Sequence, residues 1–246
     1  DSVKDADCVI TMLPAGAHVA SVYFDTGGIT QSAPTSALLV DCSTIAVSEA
    51  REISNKASDL GFVSLDAPVS GGVAAANAGT LTFMVGGDNA DFLRAQTIFQ
   101  AMGKNIFHAG PSGNGQAAKT ANNMLLGISM IATSEAFTLA EKLGLDAQTF
   151  FDIASNASGQ CWSMTSYCPA PGPVAAAPSN NDYQAGFAVA MMLKDLRLAA
   201  DAAASCRTAT PFGAKAESTY AALADAGMAD RDFSIIMQHL DIGDSA

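Results

Sequence analysis

A lysine and an asparagine one helical turn apart form the most chemically suggestive pair in the sequence. Lys119 ends the segment GxGxxAK (113–119), and Asn123 follows four residues later. A helix through this region would place both side chains on one face, about 5–6 Å apart. An amine can exchange a proton with a hydroxyl group while a neutral amide holds that hydroxyl in place. The pair therefore indicates acid/base chemistry on a hydroxy acid. The ordinary alternative is a solvated lysine at a helix start, but the flanking residues are small and apolar.

A second candidate lies in the segment DAPVSGGV (66–73), where a strand-like run ends at Asp66. Ser70, Gly71 and Gly72 would present a hydroxyl and backbone N–H groups at the carboxyl end of that strand, where open α/β sheets bind ligands. Successive backbone amides form a small anion site that suits a carboxylate. A glycine-rich turn without a ligand is the alternative.

Two further strand-like runs end in candidate binding residues. Leu13 and Pro14 follow VITM, and Thr44 follows LLVDCS. Each could be an ordinary turn. Three strand ends along one edge nevertheless favour an elongated crevice of the kind that a dinucleotide needs.

A second lysine, Lys194, lies in an otherwise apolar helical segment, AVAMMLKDL. A salt bridge to Asp195 or Asp201 would explain it structurally. With only 12 basic residues in the chain, a lysine in such a setting is also a candidate ligand contact.

The elements that must position these residues divide at about residue 110. In the first part, short apolar runs alternate with helical periodicity over Val47–Leu60 and Asp88–Met102, which predicts an α/β layer with a largely parallel sheet. The predicted strands are Cys8–Leu13, Leu38–Cys42, Phe62–Asp66, Leu81–Val85 and Asn105–His108.

The second part is predicted to be all helical. It begins with a long helix, Gln116–Leu143, about 40 Å in length. This helix is apolar on nearly every side, so we expect other helices to enclose it and Gly144 to end it. The segment Pro169–Tyr183 is predicted to be a surface loop. The other predicted helices are Ala147–Asn156, Phe187–Cys206, Pro211–Ala226 and Asp232–Leu240.

Composition and charge exclude several classes of function. A net charge of −12 argues against nucleic-acid binding, which needs a basic face. The least charged stretch, Thr120–Ser134, is shorter than the roughly 20 apolar residues of a membrane span, so we expect no membrane segment. Five cysteines without a CxxC pair and three distant histidines predict neither a metal site nor a disulfide framework.

Seven segments together resemble the 3-hydroxyisobutyrate dehydrogenase family, whose members are NAD-dependent β-hydroxyacid oxidoreductases. They occur in the family's order across essentially the whole chain. The matching segments are TMLP (11–14), DCSTI (41–45), DAPVSGGV (66–73), GTLTFMVGG (79–87), GQAAKTANNMLLGISM (115–130), SGQCWS (158–163) and MLKDLRLA (192–199).

The resemblance implies a Rossmann-type NAD-binding domain, residues 1–110, joined by the long helix to an all-helical substrate and oligomerisation domain, residues 111–246. It also implies roles for individual residues. Lys119 is the catalytic acid/base, Ser70, Gly71 and Gly72 hold the substrate carboxylate, and Asn123 contacts the substrate. Leu13, Pro14, Thr44 and Lys194 contact NAD. His18 stands where family members commonly carry an asparagine that contacts the cofactor, and that role transfers to it by position alone.

The family's GxGxxG motif on the first strand–helix turn does not occur in this sequence. We therefore expect the front of the NAD-binding domain, about 60 residues, to precede Asp1. The resemblance further implies oxidation of 3-hydroxyisobutyrate to methylmalonate semialdehyde in valine catabolism, a homodimer or homotetramer, and a mitochondrial matrix location. Because a free lysine titrates near 10.4, Lys119 would need desolvation and nearby positive charge to act as a base.

Two alternatives remain at this point. The chain could reduce tartronate semialdehyde, glyoxylate or succinate semialdehyde. It could instead be a non-catalytic, oligomerising relative of the same fold, although such relatives lack the catalytic lysine.

Overall fold

The computed structural model describes residues 2–240, and the chain divides into two compact units, Asp1–Ala121 and Asn122–Ala246. The first unit is an α/β layer and the second is helical, so the predicted fold class is confirmed.

A six-stranded sheet forms the first unit, and it contains all five predicted strands. Its strands are β1 (Cys8–Thr11), β2 (Leu38–Asp41), β3 (Val63–Asp66), β4 (Val69–Ser70), β5 (Leu81–Gly86) and β6 (Gly103–Gly110). The order is β1-β2-β3-β5-β4, and β6 also pairs with β5. The pairs β1–β2, β2–β3 and β5–β6 are parallel, whereas β5 runs antiparallel to β3 and β4. The two-residue strand β4 was not predicted.

The first three strands end in register. Thr11 is paired with Asp41, and Asp41 with Asp66, so the carboxyl ends of β1, β2 and β3 lie along one edge of the sheet. The turns that follow these strands carry most of the candidate residues of this unit.

Both faces of the sheet are covered by helices. Leu39 of β2 packs in an apolar cluster with Val19 and Ile53, whereas its neighbour Leu38 packs in a separate cluster with Phe99. Such burial on both faces explains why β2 is an uninterrupted apolar run and not an alternating one. The helices of this unit are α1 (Gly16–Phe24), α2 (Ile29–Ser32), α3 (Val47–Asp59), α4 (Gly72–Asn77) and α5 (Asn89–Met102). The two helices predicted here, α3 and α5, are confirmed.

The long helix α6 spans Asn114–Lys142 and is confirmed, although it begins two residues earlier than predicted. Gly144, with a φ of 89°, ends it. The expectation that other helices enclose α6 on every side is wrong, because Leu125 and Leu139 are 63% and 61% exposed. By length and composition α6 could cross a membrane, a test that core helices of globular proteins also meet.

The second unit contains α7 (Ala147–Ala154), α8 (Trp162–Thr165), α9 (Val189–Ser205) and α10 (Pro211–Leu223), followed by a π-helical turn and the 3-10 helix Phe233–His239. Met130, Met192, Tyr220 and Phe233 are among the buried residues of its main core. In the described part of this unit, isolated bridges are the only β pairing, as expected. The short helix α8 was not predicted.

The segment Pro169–Tyr183 is a loop with one 3-10 turn, Pro178–Asn180, and much of it is exposed as predicted, but part of it is buried. Ala170, Ala177 and Tyr183 are almost completely buried, and the Tyr183 hydroxyl donates to the carbonyl of Pro169 at 2.8 Å. The small side chains of Ala170 and Ala177 and the hydrogen bond from Tyr183 to Pro169 let part of this Pro-rich segment pack inward.

Candidate active site

Lys119 lies in the second turn of α6 and is only 7% exposed. Asn123, one turn later on the same helix, is 2% exposed. The i to i+4 spacing keeps both side chains on one face. A lysine removed from water in this way loses hydration of its charged form, so its burial favours a role beyond a solvated surface charge.

Asn123 is held by an acidic residue that the sequence analysis did not assign to the site. The Asn123 side-chain amide Nδ2 donates to Asp195 Oδ2 at 2.5 Å, and Asp195 is 3% exposed. The Lys194 ammonium lies 3.9 Å from Asp195 Oδ1, as the salt-bridge alternative predicts. Asp195 thus fixes which way the Asn123 amide faces, so that Asn123 has one orientation. An acid beside Lys194 in an apolar helix was the available sequence signal.

The start of α6 rests on the carboxylate of Asp66, at the end of β3. Asp66 Oδ1 accepts from the Gly113 N–H at 2.7 Å, and Asp66 Oδ2 accepts from the Gln116 N–H at 3.0 Å. Gly113 immediately precedes α6 and Gln116 lies in its first turn, where backbone N–H groups have no partner within the helix. Burial raises the pKa of Asp66, and these hydrogen bonds partly offset the rise. Asp66 therefore sets where the helix that carries Lys119 begins.

The glycines before Lys119 allow this close contact. A Cβ at Gly115 would lie 2.4 Å from the Met84 carbonyl oxygen and 2.6 Å from that of Asp66. Gly113 has a φ of 84°, which side chains disfavour. The GxG pair therefore serves the docking of α6 against β3 and β5.

A buried hydrogen-bond network joins the ends of β1 and β2. Asp41 Oδ1 accepts from the hydroxyls of Thr11 at 2.9 Å and Ser43 at 2.6 Å. Ser43 Oγ in turn accepts from the Leu13 N–H at 2.8 Å. Burial raises the pKa of Asp41, and the Ser43 and Thr11 hydrogen bonds lower it in part. The network brings together the turns that carry Leu13 and Thr44, which were predicted to line one crevice.

The side chain of Gln116 connects the second of these turns to α6. Gln116 is fully buried, its Nε2 donates to the Ser43 carbonyl at 2.7 Å, and its Oε1 accepts from the Ile45 N–H at 3.2 Å. The sequence analysis missed both Gln116 and Asp66 as positioning groups. Their partners lie 47 to 73 residues away, so no local pattern identifies them.

The turns at this edge carry the residues that were predicted to line the cofactor crevice. Leu13 and Thr44 are partly accessible, and Pro14 is exposed. They offer apolar surface and one hydroxyl at the carboxyl ends of parallel strands, the place where doubly wound sheets bind nucleotides. His18 is exposed on α1, close in sequence to this edge.

Ser70, Gly71 and Gly72 connect β4 to α4. Ser70 is half-buried, whereas both glycines are exposed and have φ values of 128° and 66°. A Cβ at Gly71 would lie 2.4 Å from the Cβ of Ala75. The turn thus depends on glycine, and both glycines are exposed next to a half-buried serine; its role as an anion site remains a prediction.

Among residues 2–240, no three His, Cys, Asp or Glu side chains are grouped so that they could hold a metal ion. The five cysteines are free.

Two family models match the chain. Residues 1–110 match the NAD-binding domain of 6-phosphogluconate dehydrogenase, and residues 113–240 match the NAD-binding model of NADP-dependent 3-hydroxyisobutyrate dehydrogenase. With its Rossmann-like sheet and helical unit, the chain is an NAD-dependent oxidoreductase of the β-hydroxyacid dehydrogenase class. More narrowly, it belongs to the 3-hydroxyisobutyrate dehydrogenase family.

Individual relatives support this assignment. A probable 3-hydroxyisobutyrate dehydrogenase of Mycobacterium tuberculosis is 48% identical over 98% of this chain and 80% of its own length. An NAD-dependent L-serine dehydrogenase of Pseudomonas aeruginosa is 47% identical over 98% of this chain and 81% of its own length. The mitochondrial 3-hydroxyisobutyrate dehydrogenase of Mus musculus is 44% identical over 96% of this chain and 71% of its own length.

A solved structure described as Mycobacterium tuberculosis 3-hydroxyisobutyrate dehydrogenase with L-serine superposes with a TM-score of 0.92 at 48% identity. It covers 98% of this chain and 81% of the solved chain. The similarity extends over both units, so the family relationship is not confined to the cofactor-binding fold.

Proposed function

We propose that the chain oxidises 3-hydroxyisobutyrate to methylmalonate semialdehyde with NAD, as a step of valine catabolism. The observation that carries this proposal is the burial of Lys119 one helical turn before a fully buried Asn123, in a chain of this family.

Lys119 is the proposed acid/base. Its Nζ takes the proton of the substrate hydroxyl during oxidation and returns it during reduction. Because the side chain is only 7% exposed, bulk water has little access to that proton during the exchange.

Asn123 and the turn Ser70–Gly72 are proposed to orient the substrate. Asp195 accepts one hydrogen of the Asn123 amide and Asn123 Oδ1 accepts from Asn122 Nδ2 at 2.9 Å, which leaves the second Nδ2 hydrogen to donate to the hydroxyl group. The Ser70 hydroxyl and the exposed backbone of Gly71 and Gly72 are proposed to hold the carboxylate.

Leu13, Pro14 and Thr44 are proposed to line the NAD crevice. Bound there, NAD supplies the hydride acceptor. Contact of His18 and Lys194 with the cofactor remains a prediction from the resemblance. The domain bounds 1–110 and 111–246 are proposed on the same basis.

A homodimer or homotetramer and a mitochondrial matrix location are likewise proposed from the resemblance. Mitochondrial and bacterial proteins both occur among the relatives.

L-Serine is a second candidate substrate. It shares the carboxylate and the primary hydroxyl of 3-hydroxyisobutyrate and differs at C2, where an ammonium replaces a methyl group. Two relatives favour it, the Pseudomonas L-serine dehydrogenase and the Mycobacterium structure described with L-serine.

A substrate panel separates these possibilities. NADH formation is measured with 3-hydroxyisobutyrate and L-serine, and NADH consumption with tartronate semialdehyde, glyoxylate and succinate semialdehyde. The proposal predicts the highest kcat/KM for 3-hydroxyisobutyrate. A higher kcat/KM for L-serine would move the assignment to the second candidate, and a preference for a semialdehyde would support the reductase alternative.

A further inference from the structure

We propose that Gln116 is a positioning residue that fixes the cofactor crevice relative to Lys119. This inference rests on the proposed function, because it assumes that Thr44 lines the crevice and that Lys119 exchanges the proton. It assigns a task to a residue that does not touch the reacting atoms.

The turn that carries Thr44 is held from both sides by one side chain. Gln116 donates to the carbonyl of Ser43, the residue before Thr44, and accepts from the N–H of Ile45, the residue after it. A buried amide must satisfy such groups, since an unpaired one is costly in the interior. Gln116 uses both ends of its amide on this one turn.

The backbone of Gln116 is fixed independently of its side chain. Its N–H donates to Asp66 Oδ2, and Asp66 also holds the N–H of Gly113. The amide therefore projects from the anchored first turn of α6. Lys119 follows three residues later on the same helix, so the two side chains lie on neighbouring positions of one face.

A second set of hydrogen bonds connects the turn held by Gln116 to the turn after β1. Ser43, whose carbonyl Gln116 holds, also accepts from the Leu13 N–H and donates to Asp41. Gln116 thus joins the turns after β1 and β2 to the helix that carries Lys119. Hydride transfer requires reacting atoms to be held about 3–3.5 Å apart, and a misplacement of about 1 Å can cost a hundredfold in rate.

The test compares three variants of the full chain. Gln116→Met keeps the length of the side chain and removes both hydrogen bonds. Gln116→Glu keeps an acceptor for the Ile45 N–H, but donates to the Ser43 carbonyl only when protonated. Gln148→Met is the matched control, because Gln148 is an exposed glutamine of α7 whose side chain donates to Asp152 one helical turn later.

We expect Gln116→Met to lower kcat about ten- to a hundredfold and to raise the KM for NAD, as expected for a displaced crevice. The KM for the hydroxy acid should change less, and Gln148→Met should match the wild type. The kcat/KM of Gln116→Glu, relative to the wild type, should rise as the pH is lowered, because protonation restores the donor. A purely structural role would not separate the two KM values.

Amide hydrogen exchange tests the contact without relying on turnover. The Ile45 amide should exchange faster in Gln116→Met than in the wild type or in Gln148→Met. Unchanged exchange of the Ile45 amide in Gln116→Met would overturn the proposal. So would an active wild type whose kcat and KM for NAD are the same as those of Gln116→Met. A wild type that oxidises no hydroxy acid would instead refute the proposed function, and the exchange measurement would still decide the role of Gln116 in holding the turn.

Discussion

Two aspartates at neighbouring strand ends should respond differently to the same substitution. Asp41 and Asp66 are paired in register, and each is 5% exposed. Asp66 uses both carboxylate oxygens to accept backbone N–H groups at the start of α6. The side-chain and backbone donors near Asp41 all reach its Oδ1, and Oδ2 has no hydrogen-bond partner. We therefore expect Asp66→Asn to destabilise the fold and Asp41→Asn to be nearly neutral.

The magnitude follows from the hydrogen bonds of Asp66. An asparagine can accept only one of the two N–H groups, and leaving a buried donor unpaired costs about 1–3 kcal/mol. Loss of a negative charge at a helix N-terminus adds about 0.3–1 kcal/mol. Removal of a buried charge returns part of this cost, because burial disfavours the ionised carboxylate. We expect a net loss of about 2 kcal/mol in the free energy of unfolding, or roughly 4–8 °C in Tm for a chain of this size.

Urea unfolding at neutral pH, followed by far-UV circular dichroism, measures both variants against the wild type. Asp41→Asn keeps the oxygen that accepts from Thr11 and Ser43 and replaces the unpartnered oxygen, so its change should stay within about 1 kcal/mol. Equal losses in the two variants would refute the reasoning, since burial alone would then explain the effect and the helix-start hydrogen bonds would not.

Three further outcomes follow from the same contacts. Burial raises the folded-state pKa of Asp41, so the protonated carboxyl contributes stability that is lost as the pH rises through that pKa. Any gain in the free energy of unfolding of Asp41→Asn over the wild type should therefore shrink on acidification. A constant difference across a pH series would contradict this. Gly115→Ala places a Cβ 2.4 Å from a carbonyl oxygen and should lower Tm, whereas Gly159→Ala meets nothing within 4 Å; equal Tm values would refute the docking role. Asp195→Asn sets an amide against that of Asn123 and should lower kcat/KM for the hydroxy acid about tenfold with little change in NAD affinity, as separate kinetic and calorimetric measurements can show.

The sequence predicted the elements that have strong apolar patterns. The strand β2 is a continuous apolar run because both of its faces are buried, and α6 is long enough for its ends to be found within two residues. The two-residue strand β4 and the four-residue helix α8 are too short to carry a periodic signal. The enclosure of α6 was predicted wrongly, because hydrophobic composition does not say which side chains a single chain buries.

The candidate site was predicted in part for a similar reason. Lys119 and Asn123 were found because helical spacing is local. Asp66, Gln116 and Asp195 were not assigned, because their hydrogen-bond partners lie about 50 to 70 residues away in sequence. Such positioning residues depend on tertiary contacts, and the sequence shows only that polar side chains occur within apolar surroundings.

The central claim, that Lys119 is the acid/base of a hydroxy acid dehydrogenase, is tested most directly by Lys119→Ala beside Lys215→Ala, an exposed lysine of α10. NADH formation from 3-hydroxyisobutyrate is measured together with NAD binding. We predict that Lys119→Ala loses orders of magnitude in kcat and still binds NAD, while Lys215→Ala retains wild-type turnover. Near-normal turnover of Lys119→Ala would contradict the account.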